Sequence, residues 1–316
     1  MSNVNHDLGF HCVNRGMKPT PLQQSVQYET ALRKIGTDLS RDTGVLRLHK
    51  RLAGLPVTYV PRGMGALHGL TVINAPDPQA DRHLHAQGCI PVVTPQTLAI
   101  MDLTAKDADR RAAQHGKWRN RLRRAEAAPL RITQGPFDPA HHGWLLQHET
   151  AQRQARGYRA LPHAFVTAYP RQDTLLIQAL HQGQPVAAML FLLHSSAASY
   201  HIGWASHAGR RLNAHPLLLW RAAQLLHRRG FAQLDLGTLD TQSAPGLARF
   251  KLGSGARPVV LGHSWLHLPL VSPLLRAIRH WGGIPSGLLR KGSIGGPRTS
   301  QDTPHGSAQH RHYRPR

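Results

Sequence analysis

The residues whose types and spacing best suit chemistry lie between positions 230 and 262. Segments 231–236 and 258–261 are short apolar runs that read as strands. Between them the chain is polar and glycine-rich, with one conspicuous cation, Lys251, preceded by Arg249 and Phe250. The first run carries Asp235 and is followed by Gly237, and Pro245-Gly246 then leads into a short helix bearing Arg249-Phe250-Lys251. This arrangement sets charged groups at the carboxyl end of a strand, where open α/β sheets hold their ligands. An ammonium group there can stabilise an oxyanion or hold a phosphate, and Asp235 can accept a proton or tie down the adjacent loop. A solvated lysine on a surface loop is the plainer reading of the same residues.

Two further stretches are candidates for binding. Residues 105–128 contain no proline and a single glycine, which predicts a helix with Trp118, Leu122 and Ala125 on its apolar stripe. Lys117, Arg121 and Arg124 fall on a neighbouring stripe, and Arg119 and Arg123 widen it into a basic surface, suited either to solvent or to phosphate groups. Residues 206–215 put Arg210, Arg211, Asn213 and His215 at the start of the next predicted helix, where backbone N–H groups and the helix dipole favour an anion. His215 and Asp235 are equally well explained as structural residues. Histidine pairs at 141/142, 263/267 and 310/312 lack a carboxylate or cysteine to complete a metal site, so no metal is expected. No Gly-x-Ser-x-Gly elbow or phosphate loop of the Gly-x4-Gly-Lys-Ser/Thr type is present, which excludes the corresponding hydrolases and nucleotidases.

Composition bounds the remaining choices. The 316 residues are 41% hydrophobic, enough for a substantial core, and carry a net charge of +23 with histidine neutral. That excess favours polyanionic partners: RNA, phosphate-bearing donors or an anionic membrane surface. Cys12 and Cys89 form no Cys-x-x-Cys pair, which argues against a disulfide framework. The start of the chain lacks a signal-peptide pattern, and the longest purely apolar run, 186–193, is too short to span a bilayer. A cytoplasmic location is expected, with contact to the inner face of the membrane as an option.

The elements that must position these residues follow from periodicity. Residues 1–19 read as a flexible arm. Leu22, Val26, Leu32 and Ile35 predict a helix ended by Gly36, and strands are expected at 45–49, 57–60, 90–93 and 98–103, with a short helix at 81–87. Pro61-Arg62-Gly63-Met64-Gly65 reads as a turn. A strand at 130–133 and helices at 141–156 and 162–169 precede a hairpin of strands 174–181 and 186–193 about Gln182-Gly183-Gln184. A strand at 199–205 and a helix at 213–229 lead back to the segment described first. An amphipathic helix is expected within 267–291, and the basic tail 292–316 is expected to be disordered.

This order of elements resembles the GNAT acyltransferase superfamily, and the residues resemble its FemABX-like or BioF2-like branch. The resemblance rests on Pro21–Ser25 with Tyr28–Leu32, on Gly116–Glu126, on Gln182–Ala188, and on Leu234–Gly237 followed by Gly246–Gly253. Together these span about residues 21–265. The resemblance implies an α+β (mixed α/β) fold of two GNAT-like units: an abbreviated first unit at 20–104, a basic linking helix at 105–128 and a catalytic unit at 129–266. Substrates would meet in the channel between the units.

The resemblance also implies transfer of an acyl or aminoacyl group to an amine, in some members on a peptidoglycan precursor. The donor would be acyl-CoA or aminoacyl-tRNA. Stretch 206–215 lacks the second glycine of the phosphate loop found in acetyl-CoA-binding members, and the net charge favours tRNA. By analogy Lys251 sits beside the donor and Phe250 shapes the channel. Asp235 is the catalytic candidate set beside Lys251, and Asp102, His201 and His215 are alternative bases. Arg249, Arg210, Arg211, Asn213, His215, Lys117, Arg119 and Arg121 are the candidates for holding donor or substrate. No protein partner is implied. The rival from another class is a non-enzymatic RNA-binding protein that clamps phosphates with 105–128 and the tail. Aromatic residues, at 6%, are sparse for base stacking.

Overall fold

The computed structural model describes residues 19–158 and 160–281. The expected arm, apart from residue 19, the tail 292–316 and the last part of the 267–291 helix lie outside them. In chain order the first half comprises α1 (Val26–Lys34), β1 (Leu39–Asp42), β2 (Val45–Leu52), β3 (Leu55–Val60), β4 (Leu70–Asn74), α2 (Pro78–Ala86), β5 (Ile90–Val93) and β6 (Thr97–Asp102). Next come α3 (Asp107–Ala112), α4 (Gly116–Glu126), β7 (Arg131–Gly135), α5 (Pro139–Arg156) and α6 (His163–Ala168). The rest is β8 (Thr174–His181), β9 (Gln184–His194), β10 (Ala197–Ala205), α7 (His207–Arg211), α8 (Ala214–Arg228), β11 (Gln233–Thr238), α9 (Pro245–Gly253), β12 (Arg257–Val260), β13 (Ser264–His267) and α10 (Ser272–Trp281).

The strands form two mixed sheets, ordered β1-β2-β3-β4-β13-β5 and β12-β6-β11-β10-β9-β8-β7. The expected α+β architecture of two units is present, but the units exchange strands across the boundary expected near residue 104. β6 leaves the first half to pair with β11 and β12, and β13 leaves the second half to lie between β4 and β5.

The second sheet is covered on both faces. On one, Trp118 and Leu122 of α4 and the apolar side of α8 pack against alternate residues of β8 and β9, such as Ile177, Met189 and Phe191. On the other, Leu176, Leu190 and Leu192 meet Leu145 of α5, Phe165 of α6 and Tyr28 of α1. This alternation is why β9 is apolar from Val186 to Leu193: both of its faces are buried there. A smaller core under the first sheet joins Ile73, Leu84 and Trp265.

Several expectations are corrected. The helix expected over 105–128 is two helices, because His115 is extended and its N–H donates to Gly253 O at 3.0 Å instead of continuing the helical ladder. Val26, placed on the buried stripe of the first helix, is 69% exposed; Tyr28, Ala31 and Leu32 form that stripe. Strands β1, β4 and β13 were not expected, and β13 occupies the start of the helix expected from 267. The 81–87 helix begins earlier, at Pro78, where the Asp77 carboxylate accepts from the N–H groups of Gln79 and Ala80.

Candidate active site

The site begins where the second sheet opens. Parallel strands β10 and β11 pair only through Ala197/Gln233, Ala198/Leu234 and Ser199/Asp235. Past Ser199, β10 bulges between Tyr200 and Ile202, which bends it away. Past Asp235, β11 shifts register against β6, and Gly237 takes φ +79°, a left-handed conformation that suits glycine. The two strands therefore diverge. A cavity of about 1140 Å³ fills the gap and runs between the two sheets, reached by residues of β3, α5, α6, β10, β11 and α9.

Lys251 and Asp235 both line this cavity. Lys251 is 5% exposed, and its Nζ donates to Thr238 O at 2.7 Å. An ammonium has three N–H donors, so two remain for a ligand oxygen. Burial pulls the Lys251 pKa down to about 8, and the nearby Asp235 carboxylate opposes that fall. Asp235 accepts from Gly237 N at 2.7 Å through one oxygen and from Arg62 Nη1 at 3.1 Å through the other.

The helix that carries Lys251 is fixed at both ends. Pro245 occupies its first turn, and the preceding loop is folded by Asp240, whose carboxylate accepts from the N–H groups of Gln242 and Ser243. At the other end a Cβ on Gly253 would lie 2.9 Å from Trp118 Cδ1, so α9 and α4 approach as closely as they do only with glycine there.

The remaining candidates lie elsewhere, and none of them lines the cavity. Phe250 packs between the rings of Trp118 and His215, each at 6.2 Å, as part of the core. His215 donates from Nε2 to Trp204 O at 2.9 Å, and burial lowers its pKa. Arg210 donates to Ala205 O at the end of β10, while Arg211 and Arg249 are exposed. Asn213 precedes α8 in a left-handed conformation. Within the 206–215 stretch, Gly209 is a packing residue: a Cβ there would stand 2.1 Å from Val186 O. Lys117, Arg119 and Arg121 are exposed on α4. Among the described residues no group of three or more His, Cys, Asp or Glu is placed to hold a metal ion.

Sequence reasoning missed Arg62, Glu149, Tyr158 and His163, all of which line the cavity. Arg62 sits at φ +46°, uncommon for a non-glycine residue, in the turn after β3. Glu149 follows buried Leu145 by one helical repeat, so a carboxylate occupies an inward position of α5; that spacing was the available signal. His201 also lines the cavity; burial lowers its pKa to about 4, so it is neutral.

Comparison with known proteins agrees with this geometry. Residues 104–252 match a family model described as an acetyltransferase (GNAT) domain. That stretch is similar to a GNAT acetyltransferase domain. A solved structure of FemX matches 84% of the chain over 96% of its own length, with TM-score 0.67 and 12% identity. A conserved protein of unknown function from Bacteroides thetaiotaomicron matches 82% of the chain and 98% of its own, with TM-score 0.57 and 11% identity. A C-terminal domain assigned to a lysylphosphatidylglycerol synthetase from Agrobacterium fabrum matches 82% and 93%, with TM-score 0.54 and 12% identity. No curated protein sequence matches. The matched stretch lies within a FemX-like fold of two sheets, and its last residues end on the helix that carries Lys251.

Proposed function

We propose that the protein is an N-acyltransferase that moves an acyl or aminoacyl group from an activated donor to an amine. The reading is carried by one observation: a buried ammonium, Lys251, opens onto the cavity at the place where β10 and β11 part. Attack of an amine on an activated carbonyl builds negative charge on the carbonyl oxygen. A desolvated, pre-positioned cation stabilises that charge more than it stabilises the neutral substrate. Lys251 supplies this donor. Arg62 and Gly237 N hold Asp235 as a fixed anion beside it.

The donor is a thioester such as acyl-CoA or the aminoacyl ester of a tRNA. Arg210, Arg211 and Asn213, near the end of β10, and the exposed Lys117, Arg119 and Arg121 of α4 would take its phosphates. A cell-envelope precursor fits as acceptor. The exposed apolar residues of and beside α10, Leu270, Leu274 and Ile278, support contact with an anionic membrane where such a precursor would be met.

The test is a thermal-shift and mass-spectrometric screen of acyl-CoAs against charged tRNAs, because a donor that binds the native state raises its stability. Transfer should follow with the donor found, and Lys251→Ala should lower kcat by about 10²-fold or more while the protein stays folded. Retention of polyanion affinity together with no transfer to any amine would instead support the rival reading, a non-enzymatic RNA clamp built on α4.

A further inference from the structure

A second polar cluster lies in the wall formed by α5, α6 and the bulged part of β10. Glu149, on α5, is only 5% exposed. Its Oε2 lies 2.7 Å from Nε2 of His163, the first residue of α6, and its Oε1 accepts from the Tyr158 hydroxyl at 3.3 Å. The Thr150 hydroxyl is 3.3 Å from the same His163 Nε2. Gln152, one turn along α5, donates to Gly203 O at 3.4 Å and ties the helix to the bulged strand. Glu149, Tyr158, His163 and His201 all line the cavity that holds Lys251.

The pattern has the form of a carboxylate that orients an imidazole. A carboxylate on Nε2 assigns the N–H to that nitrogen and leaves Nδ1 with a free lone pair. Among the described residues Nδ1 has no hydrogen-bond partner, and no lysine or arginine makes an ion pair with Glu149. The charge of Glu149 is therefore available to stabilise an imidazolium formed beside it. His201 does not compete for it, because it is held neutral by burial.

We propose that His163 is the general base of this site, taking the proton of the acceptor's ammonium group, and that Glu149 is its positioning residue. The inference rests on the transferase reading and adds to it a role for the wall away from the donor cation. His163 Nδ1 removes one proton from the acceptor R–NH3+. The freed lone pair forms the C–N bond, and the carbonyl π electrons move to an oxyanion beside Lys251. Collapse of the adduct breaks the donor's C–S or C–O bond, and the departing thiolate or alkoxide takes the second nitrogen proton. The products are the amide, the free thiol or hydroxyl, and a proton left on His163. The site consequently favours acceptors that arrive as cations.

The experiment compares transfer at neutral pH to an alkylamine acceptor and to its aminooxy analogue, which is already uncharged, for wild type, His163→Gln and Glu149→Gln. Circular dichroism melts check that each variant folds. With the alkylamine, His163→Gln should lower kcat about 10²-fold with little change in KM, and Glu149→Gln should lower it less. With the aminooxy acceptor both variants should come within a few-fold of wild type, because no proton has to be removed first. Equal losses on the two acceptors, or full activity of His163→Gln on the alkylamine, would overturn the role of His163 and leave the transferase reading intact. Absence of transfer by wild type to either acceptor with every donor would overturn both.

Discussion

Arg62 Nη1 lies 3.1 Å from Asp235 Oδ2, which ties the turn after β3 of the first sheet to the point where the second sheet opens. Both side chains are largely buried, at 16% and 11% exposure, so each charge depends on the other. Arg62→Met should strand the Asp235 carboxylate and destabilise the protein by about 2–4 kcal/mol, as for other buried pairs broken from one side. Arg62→Met with Asp235→Leu should recover much of that loss. Urea-unfolding midpoints of the single and double variants measure both.

Lys251 sets the basic side of the pH dependence. Its charged form is needed for oxyanion stabilisation and is lost as pH rises through about 8, so kcat/KM should fall there. The stability effect has the opposite sign. The native lysine deprotonates near 8 and the unfolded one near 10.4, so between those values the unfolded chain binds more protons and stability rises with pH. Lys251→Met should abolish both trends, which pH–rate profiles and unfolding curves at neutral and alkaline pH would register.

Gly209 tests whether the 206–215 stretch is shaped by packing. Gly209→Ala would press a methyl group against the backbone of β9 at Val186 and should cost about 1–3 kcal/mol. Arg210→Ala, exposed on the same helix, should leave stability within about 0.5 kcal/mol of wild type and act only on donor affinity.

The basic face of α4 should matter for polyanion binding alone. Arg119→Ala, Arg121→Ala and Arg123→Ala combined should reduce the dependence of log K on log salt for RNA by up to about 2–3 in slope. Because the buried side of the helix is Trp118, Leu122 and Ala125, the melting temperature should change little. Filter binding across a salt series, with a thermal melt as control, separates the two effects.

The parts of the fold legible in the sequence were those with local periodicity. The β8–β9 hairpin, α8 and the short helix with Lys251 each declare themselves within about a dozen residues, by alternation, by a helical stripe, or by a Pro-Gly start. Strand β13 does not, because its partners are residues 71–74 and 90–93, between 171 and 196 positions back in the chain, and four residues carry too little pattern. The break in the 105–128 helix was equally hidden: nothing local to His115 reveals that Gly253 O will take its N–H. Lys251 and Asp235 were found because one short segment holds both. Arg62, Glu149 and His163 come from three separate segments, and only the tertiary fold brings them to the same cavity.

The exchange of β6 and β13 has a mechanical consequence. Two straps, residues 94–96 and 261–263, run from one half to the other and are stitched together where Leu261 N donates to Gln96 O at 2.8 Å. Any breathing of the trench must pivot about this paired seam, because sliding would pull a strand out of the opposite half. A single nick at 94–96 should therefore leave fragments that co-elute on gel filtration, each still threaded into its counterpart.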